Sequence, residues 1–238
     1  MKTNQYLRKR WKQKFFIGAL FSITFMGVAL ARADKTAKIQ EAGIMDYESS
    51  QQEDLTFSNA KDLKIGDLAP DFNLNKLTGT ELSSEKTLHS LLNKPTVLLF
   101  GSYTCGLTKK RIPGMNELFN VYNDKVNFAF VYMKEAHPMP EKSVEIGSET
   151  VFLQQPESIE RRCQLGGYLI EKRELTLPVY IDDMQGSARK AYGSYHLAAY
   201  IIDENMRITF VRKYKYEVTD LQEALEATLQ NAGPMIEP

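Results

Sequence analysis

Four apolar runs of strand length most constrain this chain: Pro95–Gly101 (Pro-Thr-Val-Leu-Leu-Phe-Gly), Asn127–Met133, Pro178–Ile181 and Ala199–Ile202. None alternates with polar residues, so each predicts a strand covered on both faces, as in the centre of a sheet between two layers. Arg207–Arg212 does alternate and adds a fifth core strand, while Pro70 followed by Phe72 and Leu74 predicts an edge strand. Helical stretches fall between them at about Ile112–Tyr122, Ser158–Leu175, Ser187–Tyr192 and Val218–Leu229. Strand and helix alternate, then two strands joined tightly at Glu204-Asn205 lead into a last helix. That arrangement is an α/β fold with a mixed central sheet and helices on both faces, in the thioredoxin-like order.

The 238 residues suffice for one such domain plus extra segments. Residues 1–33 carry seven basic residues and no acidic one, in the layout of a signal peptide. A basic stretch (Arg8, Lys9, Arg10, Lys12, Lys14) precedes an uncharged run from Phe15 to Leu30, and Ala31-Arg32-Ala33 offers a cleavage site after Ala33. The alternative is an uncleaved N-terminal membrane anchor, for which the 17 residues from Phe15 to Ala31 are at the short limit. Either reading predicts an exported domain, periplasmic, extracellular or tethered outside the cytoplasm, because positive charge stays inside. Residues 34–63 read as a polar linker, and 64–238 as the thioredoxin-like domain. Setting the leader's seven against the total of 30 basic residues leaves 23 basic and 30 acidic residues, net −7. A body so acidic, with no basic stripe, argues against a nucleic-acid partner.

Gly101-Ser-Tyr-Thr-Cys105-Gly follows the first buried strand and precedes a helix, so Cys105 is expected at a helix entrance, a position that favours thiolates. Tyr132-Met-Lys-Glu135-Ala-His137-Pro follows the next strand on the same sheet edge, where one reading gives the imidazole a role in proton transfer near neutral pH and the other has Glu135 and His137 only tie down a loop. Leu177-Pro178 opens a strand at the place expected for a cis proline beside the active thiol, a trans proline starting a strand being the other reading. Cys163 shares a helical face with Ile159, Gly166 and Ile170 and is expected in the core. Two cysteines and three scattered histidines give no zinc-ligand spacing, so no metal is expected.

Over roughly Pro95 to Ile202 these motifs resemble the iodothyronine deiodinases and their bacterial relatives, within the wider redoxin group. Leu-Phe-Gly-Ser-Tyr-Thr-Cys105, Val-Tyr-Met-Lys-Glu135-Ala-His137-Pro, Ser158-Ile-Glu-Arg-Arg and Leu-Pro178-Val with Ala191-Tyr-Gly-Ser-Tyr195 carry the resemblance. It implies that Cys105 stands where animal members carry selenocysteine, which attacks iodine on an aromatic ring and is then reduced by a thiol. It also implies that Glu135 and His137 belong to the proton-handling loop. The chain departs from the family at Tyr103, where several members have a second Cys, and at Pro156, where animal members have a second His. His196-Leu197-Ala198 replaces a stretch whose Arg clamps the substrate carboxylate, and the Gly-rich segment expected after Phe210 is missing.

The resulting expectation is a thiol-dependent oxidoreductase without a cofactor. Cys105 is the nucleophile, Glu135 and His137 orient and move protons, and Ser102, Thr104, Gly106 and Pro178 shape the substrate site. Its partners are a small-molecule substrate, a halogenated aromatic, a peroxide or a mixed disulfide, and an external thiol reductant; membrane anchoring and a homodimer are further expectations. Alternatives are a peroxiredoxin-like peroxidase or thiol-disulfide reductase, and a non-catalytic binding or scaffold protein. Trp11 is the chain's single tryptophan, so a cleaved, exported product shows no tryptophan emission. Intact mass of the exported protein checks this, and a product that retains Trp11 identifies the uncleaved anchor.

Overall fold

A computed structural model describes residues 62–83, 86–138, 143–146, 149–193, 197–214 and 216–231. The leader, most of the linker, Tyr195 and His196 lie outside the described residues. Short strands β1 (Asn73–Thr78), β2 (Glu81–Leu82) and β3 (Lys86–Thr87) are followed by β4 (Thr96–Gly101), helix α1 (Gly106–Tyr122) and β5 (Asn127–Tyr132). Next come β6 (Ser143–Ile146), β7 (Glu149–Phe152), α2 (Ile159–Glu171), β8 (Val179–Ile181) and α3 (Ser187–Tyr192). The hairpin β9 (Ala199–Ile202) and β10 (Ile208–Arg212) and helix α4 (Val218–Asn231) complete the order.

The main sheet runs β10-β9-β4-β5-β8-β1-β2, with β3 also on β1, and β6-β7 form a separate antiparallel pair. Strands β4, β5 and β8 are mutually parallel, and β9 lies antiparallel to β4. Alternate residues of the apolar runs feed two cores. Val97, Leu99, Phe128, Phe130, Val179, Ile181 and Ile201 pack on one face against Ile112, Met115, Leu165, Leu169, Leu221 and Leu225 of α1, α2 and α4. Leu98, Phe100, Val131, Tyr180, Tyr200 and Ile202 pack on the other face against Leu63, Phe72, Leu88, Ala188 and Tyr192. Full burial of each large apolar side chain is worth about 1.5–3 kcal/mol, so two-sided burial dictates strands with no polar face.

Three expectations change here. The strand after Pro70 is not an edge: β1 is flanked by β8 and by β2 and β3. Leu63, assigned to the linker, is buried in the second core. Helix α1 starts at Gly106 rather than about Ile112, because the residues it buries before Ile112 are Thr108 and Arg111 rather than apolar ones, so this stretch carries no hydrophobic period. It continues through Pro113, whose ring cannot donate to the ladder. Among the described residues no helix is long and apolar enough to cross a membrane.

Gly101, the last residue of β4, marks the closest packing at the sheet edge. A Cβ there would lie 2.3 Å from Phe130 Cζ and 3.0 Å from Thr108 Oγ1. Gly101→Ala is therefore expected to destabilise the fold by about 1–3 kcal/mol through overpacking. Denaturant unfolding of the variant measures it, and an unchanged midpoint would contradict the close packing.

Candidate active site

Cys105 is the N-cap of the 17-residue helix α1, in extended backbone (φ −73, ψ 112), and its carbonyl accepts from Lys109 N–H at 3.1 Å. Backbone N–H groups of the first helical turn point toward this end, where the helix dipole favours negative charge. The side chain is 6% exposed, and the next residues, Gly106 and Leu107, are exposed. Cys163 is also a free thiol, 3% exposed on α2, and burial raises its pKa. The two sulfurs form no disulfide.

The turn that carries Cys105 is fastened by one carboxylate. Glu135, 1% exposed in the loop after β5, accepts from Tyr103 N–H at 3.3 Å and Tyr132 Oη at 2.8 Å through one oxygen. Its other oxygen accepts from Thr104 N–H at 2.7 Å and from the Thr104 hydroxyl. Gln155 holds the Glu135 backbone at both ends, donating from Nε2 to the carbonyl at 2.7 Å and accepting the N–H at 3.0 Å. Two further bonds close the loops on each other: Ala136 N–H donates to Ser102 Oγ at 3.1 Å, and His137 N–H to Thr104 Oγ1 at 3.1 Å. His137 is thus set beside the residue preceding Cys105.

Burial pushes the Glu135 carboxyl above the ordinary carboxylate range, and the hydrogen bonds from Thr104, Tyr132 and Tyr103 oppose that rise. Burial likewise pushes the Tyr132 phenol well up, keeping it a neutral donor. Tyr103 directs its ring to Tyr168 (centroids 5.5 Å apart), with the Arg173 guanidinium 4.6 Å from the Tyr103 centroid.

The structure gathers Ser102, Thr104, Cys105, Gly106, Glu135 and His137 at the C-terminal edge of β4 and β5. It changes the assignment of three residues. The Thr104 hydroxyl and N–H are both spent on Glu135, and Ser102 is fully buried with its oxygen accepting from Ala136, so both hold the turn rather than face a substrate. Pro178 is not beside the thiol: it precedes the N-terminal end of β8, its carbonyl accepts from Phe130 N–H, two residues before the C-terminal end of β5, and β5 separates β8 from β4. The strand beside β4 on the other side is β9, where the Ala198 carbonyl accepts from Phe100 N–H. Sequence reasoning missed Tyr132 as a carboxylate donor and Gln155 altogether. Tyr132 stood inside a recognised motif, whereas Gln155 lies in a polar stretch with no periodic signal.

With this geometry in view, the sequence model of the iodothyronine deiodinase family matches residues 30–229. The chain belongs to the iodothyronine deiodinase family. It is 30% identical over 149 residues to type II iodothyronine deiodinase of Mus musculus, covering 56% of each chain. With thyroxine 5-deiodinase of Homo sapiens it shares 30% identity over 110 residues, 46% of this chain and 35% of that one. The deiodinase-like chain thus spans about half or less of the length of the curated relatives it matches. Its fold matches the solution structure of a thiol:disulfide interchange protein from Bacteroides sp. with a TM-score of 0.51 at 13% identity, over 74% of this chain and 96% of that one. The thioredoxin-like architecture is thereby established.

Glu135→Gln tests the clamp. An amide presents NH2 where the carboxylate accepts, so at least one of the Tyr103 and Thr104 N–H groups loses its partner, at a cost of about 1–3 kcal/mol. A carboxyl raised in the folded state holds its proton more tightly there, so its contribution is greatest below the unfolded value of about 4.3 and is lost as pH rises through the folded value. The stability gap between wild type and Glu135→Gln is therefore expected to narrow as pH rises above about 4.3. Urea unfolding at a series of pH values measures it, and a gap that widens with pH refutes this.

Proposed function

We propose that the protein is a thiol-dependent oxidoreductase of the deiodinase kind, acting by reductive dehalogenation of an aromatic substrate with Cys105 as nucleophile. One observation carries the reading: in a member of this family, a free cysteine caps helix α1 at the sheet edge, in a turn locked by a buried carboxylate. The Cys105 sulfur attacks the halogen and takes it as a sulfenyl halide, while the ring carbon that loses the halogen receives a proton. An external thiol then displaces halide ion to give a mixed disulfide, and a second thiol releases Cys105 and one disulfide product. For each aryl halide, two thiols are consumed, and one arene, one halide ion, one disulfide and one proton are produced.

In this scheme His137 supplies the proton, since imidazole titrates in the neutral range and the residue is tethered through Thr104 to the turn bearing the thiol. Glu135 acts by orientation: its four accepted hydrogen bonds come from the turn and from Tyr132, so it fixes Cys105 without touching substrate. Gly106 and Leu107, both exposed and next in the chain, form the approach to Cys105. The basic, apolar leader delivers the domain outside the cytoplasm.

The test offers iodinated phenols, hydroperoxides and disulfides with dithiothreitol and follows iodide release and substrate loss. Wild type is expected to release iodide; Cys105→Ser, nearly the same size but far less nucleophilic, is expected to release none while unfolding normally. His137→Ala is expected to lower the rate by about 10²–10⁴-fold. Consumption of peroxides or disulfides alone would move the protein to a peroxidase or disulfide reductase, and no difference between wild type and Cys105→Ser on any substrate would leave a binding or scaffold protein.

A further inference from the structure

Arg173, in the segment that leaves α2, is a half-buried cation placed against the turn of Cys105. Its guanidinium lies 4.6 Å from the Tyr103 ring centroid. Its Nε is buried without a hydrogen-bond partner, and among the described residues none of its nitrogens makes a hydrogen bond or a salt bridge. Glu171 and Glu174, its nearest acidic neighbours in sequence, are exposed and form no ion pair with it. A basic residue at the end of a helix commonly bonds the last carbonyls, and Arg173 bonds none of them. Stacking accounts for the ring contact but not for a buried Nε with no acceptor. A guanidinium carries its five N–H donors in its plane, so stacking occupies the face and leaves the edge to an oxyanion.

Both the cation and its platform are fixed. Lys172 N–H donates to the Tyr168 carbonyl at 2.9 Å and Leu175 N–H to that of Leu169 at 3.1 Å, while Glu174 takes a left-handed backbone (φ 58). Asn116 of α1 pins the segment, donating from Nδ2 to the Glu174 carbonyl at 2.7 Å and accepting Thr176 N–H at 3.0 Å. That helix has Cys105 as its N-cap. Tyr103 is 1% exposed, its N–H donates to Glu135, and its ring lies 5.5 Å from that of Tyr168. Tyr103 and Cys105 belong to one apolar cluster. Two residues apart, their Cα atoms are separated by at most about 7 Å.

We propose that Arg173 is a binding residue for the carboxylate of a small molecule that reacts at Cys105, with the Tyr103 ring as the platform that aims its donors. The carboxylate is carried by the organic substrate or by the thiol reductant, each of which brings one atom to the sulfur. The proposal rests on Cys105 being the reactive thiol, but its first test needs no dehalogenation.

Two disulfide probes isolate the charge. The Cys105 thiolate attacks one sulfur of dithiobis(nitrobenzoate), the S–S bond breaks, and a carboxylated arylthiolate leaves. Dithiodipyridine reacts in the same way and has no carboxylate. Both probes report on one sulfur, so a change in its exposure or ionisation moves both rates together, and only their ratio reads the carboxylate. In the full chain, with Cys105→Ser as the background, Arg173→Gln is expected to lower that ratio about tenfold or more, the scale of a hydrogen bond to a charged group. Arg173→Lys is expected to restore part of it as a point charge. An unchanged ratio in Arg173→Gln overturns the proposal. Steady-state assays then separate the sources. A reductant's carboxylate makes Arg173→Gln raise KM for mercaptopropionate but not for mercaptoethanol. A substrate's carboxylate makes it raise KM for an iodinated phenol that bears the acid but not for one that lacks it. A preserved ratio in a protein that releases iodide removes Arg173 and keeps the dehalogenase reading; a lowered ratio in a protein that turns over no substrate keeps the carboxylate site and removes that reading.

Discussion

The arrangement at the sheet edge depends on one buried carboxylate. Glu135 takes four hydrogen bonds, three of them from the two residues before Cys105, and thereby joins the turn after β4 to the loop after β5. Neither segment has internal secondary structure to hold it, so without this carboxylate the Tyr103 and Thr104 N–H groups would be buried and unpaired. Desolvating the carboxylate is costly, and the four donors offset that cost only if all are in place. The clamp therefore sets the geometry of the cysteine as a unit: Ser102, Thr104 and Gln155 serve it rather than any ligand.

Much of the fold was legible because two-sided burial leaves an unmistakable trace. The runs at Val97–Phe100, Phe128–Val131 and Tyr200–Ile202 have no polar position to confuse with a helix or loop, and each became a strand within a residue or two of the expected bounds. The start of α1 was illegible because its buried residues before Ile112, Thr108 and Arg111, are polar, and hydrophobic periodicity does not see them. Strands β6 and β7 were not anticipated. Pro178 was misplaced because a proline before an apolar run marks the start of a strand but does not say which strand it pairs with. Pairing β8 to β5 rather than to β4 is settled by long-range packing.

At the site, sequence and resemblance singled out Cys105, Glu135 and His137, and the structure brings their segments together. They did not show how the parts are shared. Thr104 and Ser102 have the hydroxyls of substrate-binding residues, but the backbone around them lacks other partners, and that need claims them first.

The pairing of β4 with β9 has a consequence for how the domain comes into being. Thr96 and Val97 find their antiparallel partners only at Ile202 and Ile201, and Arg111 finds its partner at Tyr216, so the strand and helix on either side of the cysteine wait for the last part of the chain. Closing so long a loop is slow, and contacts of this range set the pace of folding. A chain that emerges from its N-terminus first therefore presents Cys105 to its surroundings before the hairpin and final helix can cover it, and whatever thiols or oxidants it meets in that interval act on an unprotected sulfur.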